Sequence, residues 1–407
     1  MPGPLSHIRV LELSRILAGP WAAQNLADLG AEVIKIERPG AGDDTRQWGP
    51  PFLTDPDGNE TPESAYFLSA NRGKKSVTVD LSDPRGRDLA RDLAAKSDVV
   101  IENFRVGGAA KLGVGYDDLR ARNPGLIYCS ITGFGQTGPY KDRGGYDYII
   151  QAMGGLMSIT GERDDLPGGG PQKVGLAVTD LFTGMYATVA INAALVHRER
   201  TGAGQYIDLA LLDCSAAMMS MMATNYFASG NVPKRMGHAH PNVVPYQLFA
   251  TTDGHVVVAI GNDTQFARYC EAIGRAELAT DPRFVDNRAR VENRDAMVAI
   301  LEEAMRGRSS AEWLERLAAA MVPSGPVNTI DQVFDDPQIK HRGMKVELPH
   351  TVAGTVAQPA SPMRLSVTPV EYTRAAPVLG EHTDTVLSGL LGLGADAVAA
   401  LRADGVI

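Results

Sequence analysis

The chain opens with apolar residues spaced around Ile8, Val10, Leu11 and Leu13, the pattern of a buried strand over residues 7–13. Residues 14–19 read as a turn. Pro20 suits the first position of a helix, which runs over 21–29 and stops at Gly30. Residues 31–37 (Ala-Glu-Val-Ile-Lys-Ile-Glu) form a second strand. A strand, a helix and a strand in so short a span predict a parallel pair with a right-handed crossover.

The same alternation continues. Residues 39–63 are rich in Gly, Pro and Asp and read as a loop, and strands are expected at 76–81, 98–104 and 126–132. Ser82 or Asp83 caps a helix that starts at Pro84 and runs to Lys96. Alternating strands and helices predict an α/β domain with helices on both sheet faces. Residues 144–155 read as helical, 163–172 as another Gly/Pro/Asp loop, and 179–198 as a long, mostly apolar helix suited to an interface or a core. A strand at 205–210 and a Met-rich helix at 211–227 follow.

The composition shifts at 228–242, which reads as a linker. Beyond it, 246–250 and 255–260 flank a turn at Asp253-Gly254, and helices follow at 264–273, 288–305 and 310–321. A smaller α+β domain is expected here. Residues 344–348 and 363–367 look like strands, and helices at 382–391 and 396–403 are suited to packing back on the first domain. The expected division is a large domain from 1–227, a small one from 228–330, and a return to the large one over 331–407.

Composition narrows the function. The 407 residues are 44% hydrophobic and 21% charged, which is globular, and the length suggests two or three domains. With 39 basic and 48 acidic residues the net charge is −9, which argues against a nucleic-acid partner and a polybasic membrane anchor. The most apolar run, 185–196, contains Thr188 and Asn192 and falls short of the ~20 residues of a membrane span. The N-terminus shows no signal-peptide pattern. Cys129, Cys214 and Cys270 are scattered and odd in number, with no CxxC spacing. This fits a reducing cytoplasm and no metal site.

A β-α-β start with Glu37 at the end of the second strand invites a dinucleotide reading. The first turn, Ser14-Arg15-Ile16-Leu17-Ala18-Gly19-Pro20, has one glycine rather than three, so NAD is not expected. Basic residues do collect near strand ends: Arg38, the run Arg72-Gly73-Lys74-Lys75, Arg105 and Lys111. The C-terminal ends of parallel strands gather ligands, and cations there suit phosphates. Each is equally readable as a solvated surface charge. Asp180, at the start of the long apolar helix, reads either as an N-cap or as a carboxylate kept ionised by the helix end. In the second case it is a nucleophile suited to an acyl carbonyl.

Several segments together resemble the class III CoA-transferases, the family of formyl-CoA transferase and carnitine CoA-transferase. They are Ala18-Gly19-Pro20, the run 30–40 (Gly-Ala-Glu-Val-Ile-Lys-Ile-Glu-Arg-Pro-Gly), Glu102-Asn103-Phe104, Thr132-Gly133-Phe134-Gly135, Gly145-Tyr146-Asp147, Asp180, the run 200–205, and Leu379-Gly380-Glu381-His382-Thr383. The resemblance implies a Rossmann-like large domain from both chain ends, a small middle domain, and a homodimer of interlocked rings. It also implies that Asp180 is the nucleophile, passing through an anhydride and an aspartyl-CoA thioester. Coenzyme A, carried as acyl-CoA, would be held by Leu17, Ala18, Arg38, Val79, Asp80, Leu81, Ser82, Asn103, Phe104, Arg105, Lys111, Gly144, Gly145, Tyr146 and Asp147.

Trp48 and Tyr66 match aromatic residues near the family's acyl site, and packing is the competing reading for both. Formyl-CoA transferase has a glutamine where Leu17 stands, and a mobile glycine-rich loop where this chain has residues 237–242. Residues 42–52 and Val244-Pro245-Tyr246 resemble instead the succinyl-CoA:glutarate branch, which exchanges CoA between dicarboxylic acids. Succinyl-CoA as donor and a dicarboxylate such as glutarate as acceptor are therefore expected. Arg46, His238 or His240 would face a distal carboxylate, against the competing reading of each as a surface or loop residue. Two alternatives stay open. An α-methylacyl-CoA racemase carries Gly-His-Asp where this chain has Gly145-Tyr146-Asp147, and tyrosine, with a free pKa of about 10, is a poor base. A CoA-binding protein without catalysis is the other.

Overall fold

The computed structural model describes residues 2–407. The chain forms two compact units. The first comprises the residues up to Leu156, Val174–Ala223 and Gln338–Ile407, and the second comprises Met157–Lys173 and Thr224–Pro337.

The first unit is built on six parallel strands: β1 (Arg9–Glu12), β2 (Glu32–Glu37), β3 (Lys74–Thr78), β4 (Val99–Glu102), β5 (Ile127–Thr132) and β6 (Tyr206–Ala210). Their order is β3-β2-β1-β4-β5-β6. The winding reverses between β1 and β4, and at such a switch point the C-terminal strand ends open a crevice. The mixed α/β fold expected from the sequence is present.

Successive strand residues point to opposite faces, so Val10 and Leu11 enter different cores. On one face Leu11, Ile34, Val77 and Val100 pack with Leu89 and Leu93 of α2 (Pro84–Ala95) and with the C-terminal Leu387 and Ile407. On the other, Val10, Val33, Val99 and Ile127 pack with Ala22, Ala23 and Leu26 of α1 (Ala18–Asp28) and with Ala187, Ile191 and Ala194 of α4 (Val178–Thr201). A short helix, α3 (Asp147–Met153), precedes α4. Small residues bring α1 and α4 close. A Cβ on Gly184 would lie 2.7 Å from the Ala18 carbonyl oxygen, so only glycine lets this turn of α4 approach the start of α1.

Helix α4 is longer than the apolar run suggested. Its 24 residues are long and apolar enough to cross a membrane by length and composition, and half of its apolar window is buried in the unit. The outer face carries exposed Phe182, Met185, Tyr186, Val189 and Val196.

The C-terminal segment joins the first unit. It contributes a hairpin, β7 (Lys345–His350) with β8 (Gly354–Pro359), and a helix, Thr383–Leu391. Just before that helix the His382 N–H donates to the Ser76 carbonyl, and Thr383 Oγ1 accepts the Thr78 N–H at 3.0 Å. The outer edge of β3 is therefore covered by the C-terminal segment.

In the second unit an antiparallel hairpin, Tyr246–Ala250 with His255–Ala259, and a short strand, Ser324–Pro326, pack on helices Asp263–Ala272, Arg294–Met305 and Ser310–Ala319. Phe249, Val256, Phe266, Leu301 and Trp313 form its core.

Four local expectations are corrected. Residues 363–367 are not a strand, since the partner of β7 is the adjacent β8, reached through a turn at Gly354 with φ +69°. Residues 39–63 contain a 3-10 turn, Asp44–Gln47, and a hairpin, Phe52–Thr54 with Glu60–Ser64, whose second strand is too polar to show a strand pattern. The helix expected over 211–227 is two helices, Leu211–Met218 and Ser220–Ser229, and Ser220, which opens the second, has φ +40°. Residues 157–173, read as part of the large domain, pack within the second unit.

Candidate active site

A cavity of about 420 Å³ opens in the first unit at the C-terminal ends of β1, β4 and β5. Asp180 lines it together with Leu17, Ala18, Asn103, Phe104, Arg105, Gly144, Gly145 and Tyr146. Eight of the residues expected to hold CoA thus converge on the expected nucleophile. Two glycines make part of this convergence. Bare Gly133, past the end of β5, faces bare Gly145, and a Cβ on Gly145 would lie 2.5 Å from the Gly133 Cα. Only this pair lets the 144–146 loop cross the strand end.

Asp180 is not the N-cap of α4. Helix α4 starts at Val178, so Asp180 stands in its first turn. The capping carboxylate is Asp147, which accepts from the Thr179 N–H at 2.8 Å, from Thr179 Oγ1 at 2.5 Å, and from the Asp180 N–H at 3.3 Å. The Gln151 amide also donates to Asp147 at 2.6 Å. Asp147, expected at the CoA site, therefore spends its oxygens on holding Asp180 in place. Nor is Asp180 fully ionised at neutral pH as expected. Burial, then the like charge of Asp147, pushes its carboxyl up to about 7. The same charges act on Tyr66, whose hydroxyl is raised to about 12 by burial and by Asp180, Asp147 and Asp43. Tyr66 meets Trp48 edge-on, with ring centroids 5.1 Å apart.

The turn leading into α1 is unusual. Ile16 has φ +73°, a left-handed conformation that is an outlier for a β-branched residue. Its N–H donates to both oxygens of Asp43 at 3.2 Å. The flanking Arg15 exchanges two backbone hydrogen bonds with the Asn103 amide, at 2.9 and 2.7 Å. Arg15, Lys141 and Arg143 add cations to the cavity wall, and sequence reasoning had not singled them out. Their signal was weak, because Lys141 and Arg143 sit in a polar turn that resembles any solvated loop.

A smaller cavity of about 290 Å³ is lined by Arg38, Val79, Asp80, Leu81 and Ser82, and shares Arg15 and Phe104 with the first. The two cavities together account for every expected CoA residue but Lys111 and Asp147, and Lys111 lies exposed on a short helix, Gly108–Lys111.

Other expected residues are committed elsewhere. Arg46 is buried, with Nε 2.7 Å from Glu37, Nη1 3.3 Å from Glu63, and its guanidinium over the Phe67 ring. It holds the fold rather than facing a substrate carboxylate, and it occupies the Glu37 carboxylate as well. Of the basic run at the start of β3, Arg72 pairs with Asp28, Lys74 with Glu12, and Lys75 with Glu32, so these cations are structural. His238 and His240 belong to the second unit. There the His240 Nδ1 accepts the Asn242 N–H, and burial and Arg294 hold its imidazole below the usual range. Among the described residues no cluster of His, Cys, Asp and Glu could hold a metal ion.

A buried carboxylate beside two cavities whose walls carry Arg15, Arg38, Arg105, Lys141 and Arg143 suits acyl-CoA chemistry. The family model for CoA-transferase family III matches residues 5–383, and the chain belongs to that family. It is 49% identical over 387 residues to the succinate–glutarate CoA-transferase of Agrobacterium fabrum, covering 95% of this chain and 96% of that one. It is 43% identical to the succinyl-CoA:glutarate CoA-transferase of Homo sapiens, over 99% of this chain and 90% of the relative. A crystal structure of a CAIB/BAIF family protein from Brucella suis superposes with a TM-score of 0.84 at 49% identity, covering 96% of this chain and all of that one. The chain is thus a CoA-transferase.

Proposed function

We propose that the enzyme moves CoA from succinyl-CoA to a dicarboxylate such as glutarate, with Asp180 as the covalent nucleophile. The observation that carries this is the buried Asp180 carboxyl at a cavity walled by Leu17, Ala18, Asn103–Arg105 and Gly144–Tyr146. The identities to two succinate–glutarate enzymes support the acid pair.

The ionised Asp180 attacks the thioester carbonyl, giving a mixed anhydride and the CoA thiolate. The thiolate attacks the Asp180 carbonyl, forming an aspartyl-CoA thioester and releasing the donor carboxylate. The acceptor carboxylate then attacks that thioester, and the returning thiolate takes the acceptor acyl group and frees Asp180. Burial suits both halves. It raises the basicity of the attacking carboxylate and keeps water from the anhydride. Arg15, Arg105, Lys141 and Arg143 on one cavity, and Arg38 on the other, suit the phosphates of CoA. Trp48 and Tyr66 suit the acyl side.

The domain reading follows the sequence, with 157–173 moved to the smaller domain. The large domain is Rossmann-like, supported by the strand order and its switch point. The exposed apolar face of α4 supports an interlocked homodimer. Three buried, free cysteines support a cytoplasmic location. The racemase alternative has no support at this site, because Asp147 is taken by its capping bonds and is not paired with a histidine.

The test is exchange from succinyl-CoA to glutarate, malate, itaconate and oxalate, read by mass spectrometry of new acyl-CoAs, with Asp180→Ala alongside. Glutaryl-CoA formed by the native enzyme and lost in Asp180→Ala is expected. Turnover retained in Asp180→Ala overturns the mechanism, and no glutaryl-CoA from the native enzyme overturns the acid pair.

A further inference from the structure

The turn from Ser14 to Pro20 carries Leu17 and Ala18 into the cavity, and it is held by a buried ionic network. Lys35 and Lys74 are fully buried. The Lys35 Nζ donates to the Ser14 carbonyl at 2.8 Å, and lies 3.1 Å from Glu12 and 3.0 Å from Asp43. The Lys74 Nζ donates to the Pro20 carbonyl at 2.9 Å and pairs with Glu12 at 2.8 Å. Both ends of the turn are therefore pinned by lysines that share one carboxylate. At its centre the only side chain on the strained Ile16 N–H is Asp43. The Asp43 carboxylate also accepts the Thr45 N–H and Thr45 Oγ1, at 3.0 and 2.8 Å. Ile16, Thr45 and Lys35 all donate to the Asp43 carboxylate, which as an anion is acceptor-only, while the Asp43 N–H itself donates to Glu37 Oε2 at 3.0 Å.

We propose that Asp43 is a positioning residue of the transfer reaction: it holds Ile16 in the left-handed conformation that sets Leu17 and Ala18 against Asp180 in the cavity. This deepens the reading that Asp180 and this cavity carry the transfer, and rests on it. A β-branched residue persists at such a φ only where its surroundings over-determine it, and such strain gathers at functional sites. Here the over-determination has a named source. Without Asp43 the peptide at Ile16 relaxes toward the right-handed or extended regions, and Leu17 leaves its place. Asp43 itself is almost fully buried, so it acts through the turn and not by facing bulk solvent.

Glycine adopts this φ with no side-chain penalty. It therefore separates the positioning role from a merely structural one. Steady-state exchange is to be measured for the native enzyme, Asp43→Ala, Ile16→Gly, and the two combined, with folding followed by circular dichroism and thermal melts. In Asp43→Ala, kcat is expected to fall about tenfold to a hundredfold, the range set by the strain of one such residue. The KM for acyl-CoA should change much less. Adding Ile16→Gly should restore most of the lost kcat without restoring the melting temperature. If Asp43→Ala does not fold, Asp43→Asn, which fills the same space and keeps one acceptor oxygen while losing the charge, takes its place, and the same rescue by Ile16→Gly is expected there. Native kcat in a folded Asp43 variant, or loss of kcat that Ile16→Gly does not reverse, overturns the inference. An inactive native enzyme overturns instead the reading on which it rests.

Discussion

Replacing Asp180 by Asn should destroy transfer and stabilise the protein, and the gain should grow with pH. The folded Asp180 carboxyl titrates at about 7 against 3.8 for a free one. Its folded form thus holds the proton more tightly than the unfolded chain does. The stability belonging to that proton is complete below 3.8 and is lost as pH rises through about 7. At about 1.4 kcal/mol per unit, the gap of 7 minus 3.8 makes the ionised carboxylate cost ~4 kcal/mol above pH 7. At pH 5 the unfolded chain has ionised and the fold has not, so the cost is only ~2 kcal/mol. Asn carries no charge and avoids both. Chemical denaturation of the native enzyme and of Asp180→Asn at pH 5 and pH 8.5 measures the difference directly. The variant should gain roughly two to three times as much at the higher pH, with the melting temperature rising by several degrees. An equal gain at both pH values, or a less stable variant at pH 8.5, refutes the argument that burial and Asp147 strain this carboxylate.

Three further outcomes follow from the same geometry. The kcat/KM of the native enzyme should rise with pH through about 7, as Asp180 ionises. In Asp147→Asn that midpoint should move to lower pH, since one like charge is gone while burial remains; a pH–rate series checks the direction. Arg46→Ala should lower stability by about 3–5 kcal/mol, because it leaves Glu37 and Glu63 buried without their cation, while the KM of the folded enzyme stays within about twofold. Lys141→Ala and Arg143→Ala should each raise the KM for acyl-CoA a few-fold and flatten its dependence on salt, as measured in initial-rate titrations at two ionic strengths.

What the sequence reveals depends on range. Strands β1, β2, β4, β5 and β6 show their apolar pattern locally, and so does α2, with Asp83 as its cap and Pro84 inside the first turn. Asp180 and the Gly145-Tyr146-Asp147 motif were visible as motif residues, and the structure brings Asp180, Gly145 and Tyr146 to one cavity while Asp147 binds the start of α4. Charge partners were not visible. Arg46 looked available because Glu37 and Glu63 reach it only once a strand and a hairpin converge, from 9 and 17 residues away. Lys35 and Lys74 lie within strands, where lysine normally marks a solvent-facing position. Their burial follows from Glu12, which is 23 residues from Lys35 and on another strand. The protonation of Asp180 was misjudged for a related reason. The helix end alone favours the anion, but burial and Asp147 outweigh it, and both come from tertiary structure. The hairpin at 52–64 and strand β8 escaped notice because pairing, not apolar alternation, makes them strands.

The strap of C-terminal chain along the outer edge of β3 has a consequence for how this protein is made. Thr78 and Thr383, which bond across that edge, are 305 residues apart in the chain. During synthesis, β3 leaves the ribosome as a bare edge long before the segment that covers it exists. An open parallel-sheet edge is a template for another chain, and long-range pairings form slowly. The nascent first unit therefore spends most of its translation with a pairing surface exposed. Removal of the last few dozen residues would leave that surface open for good, so truncation near the C-terminus threatens solubility before it touches any residue at the cavity.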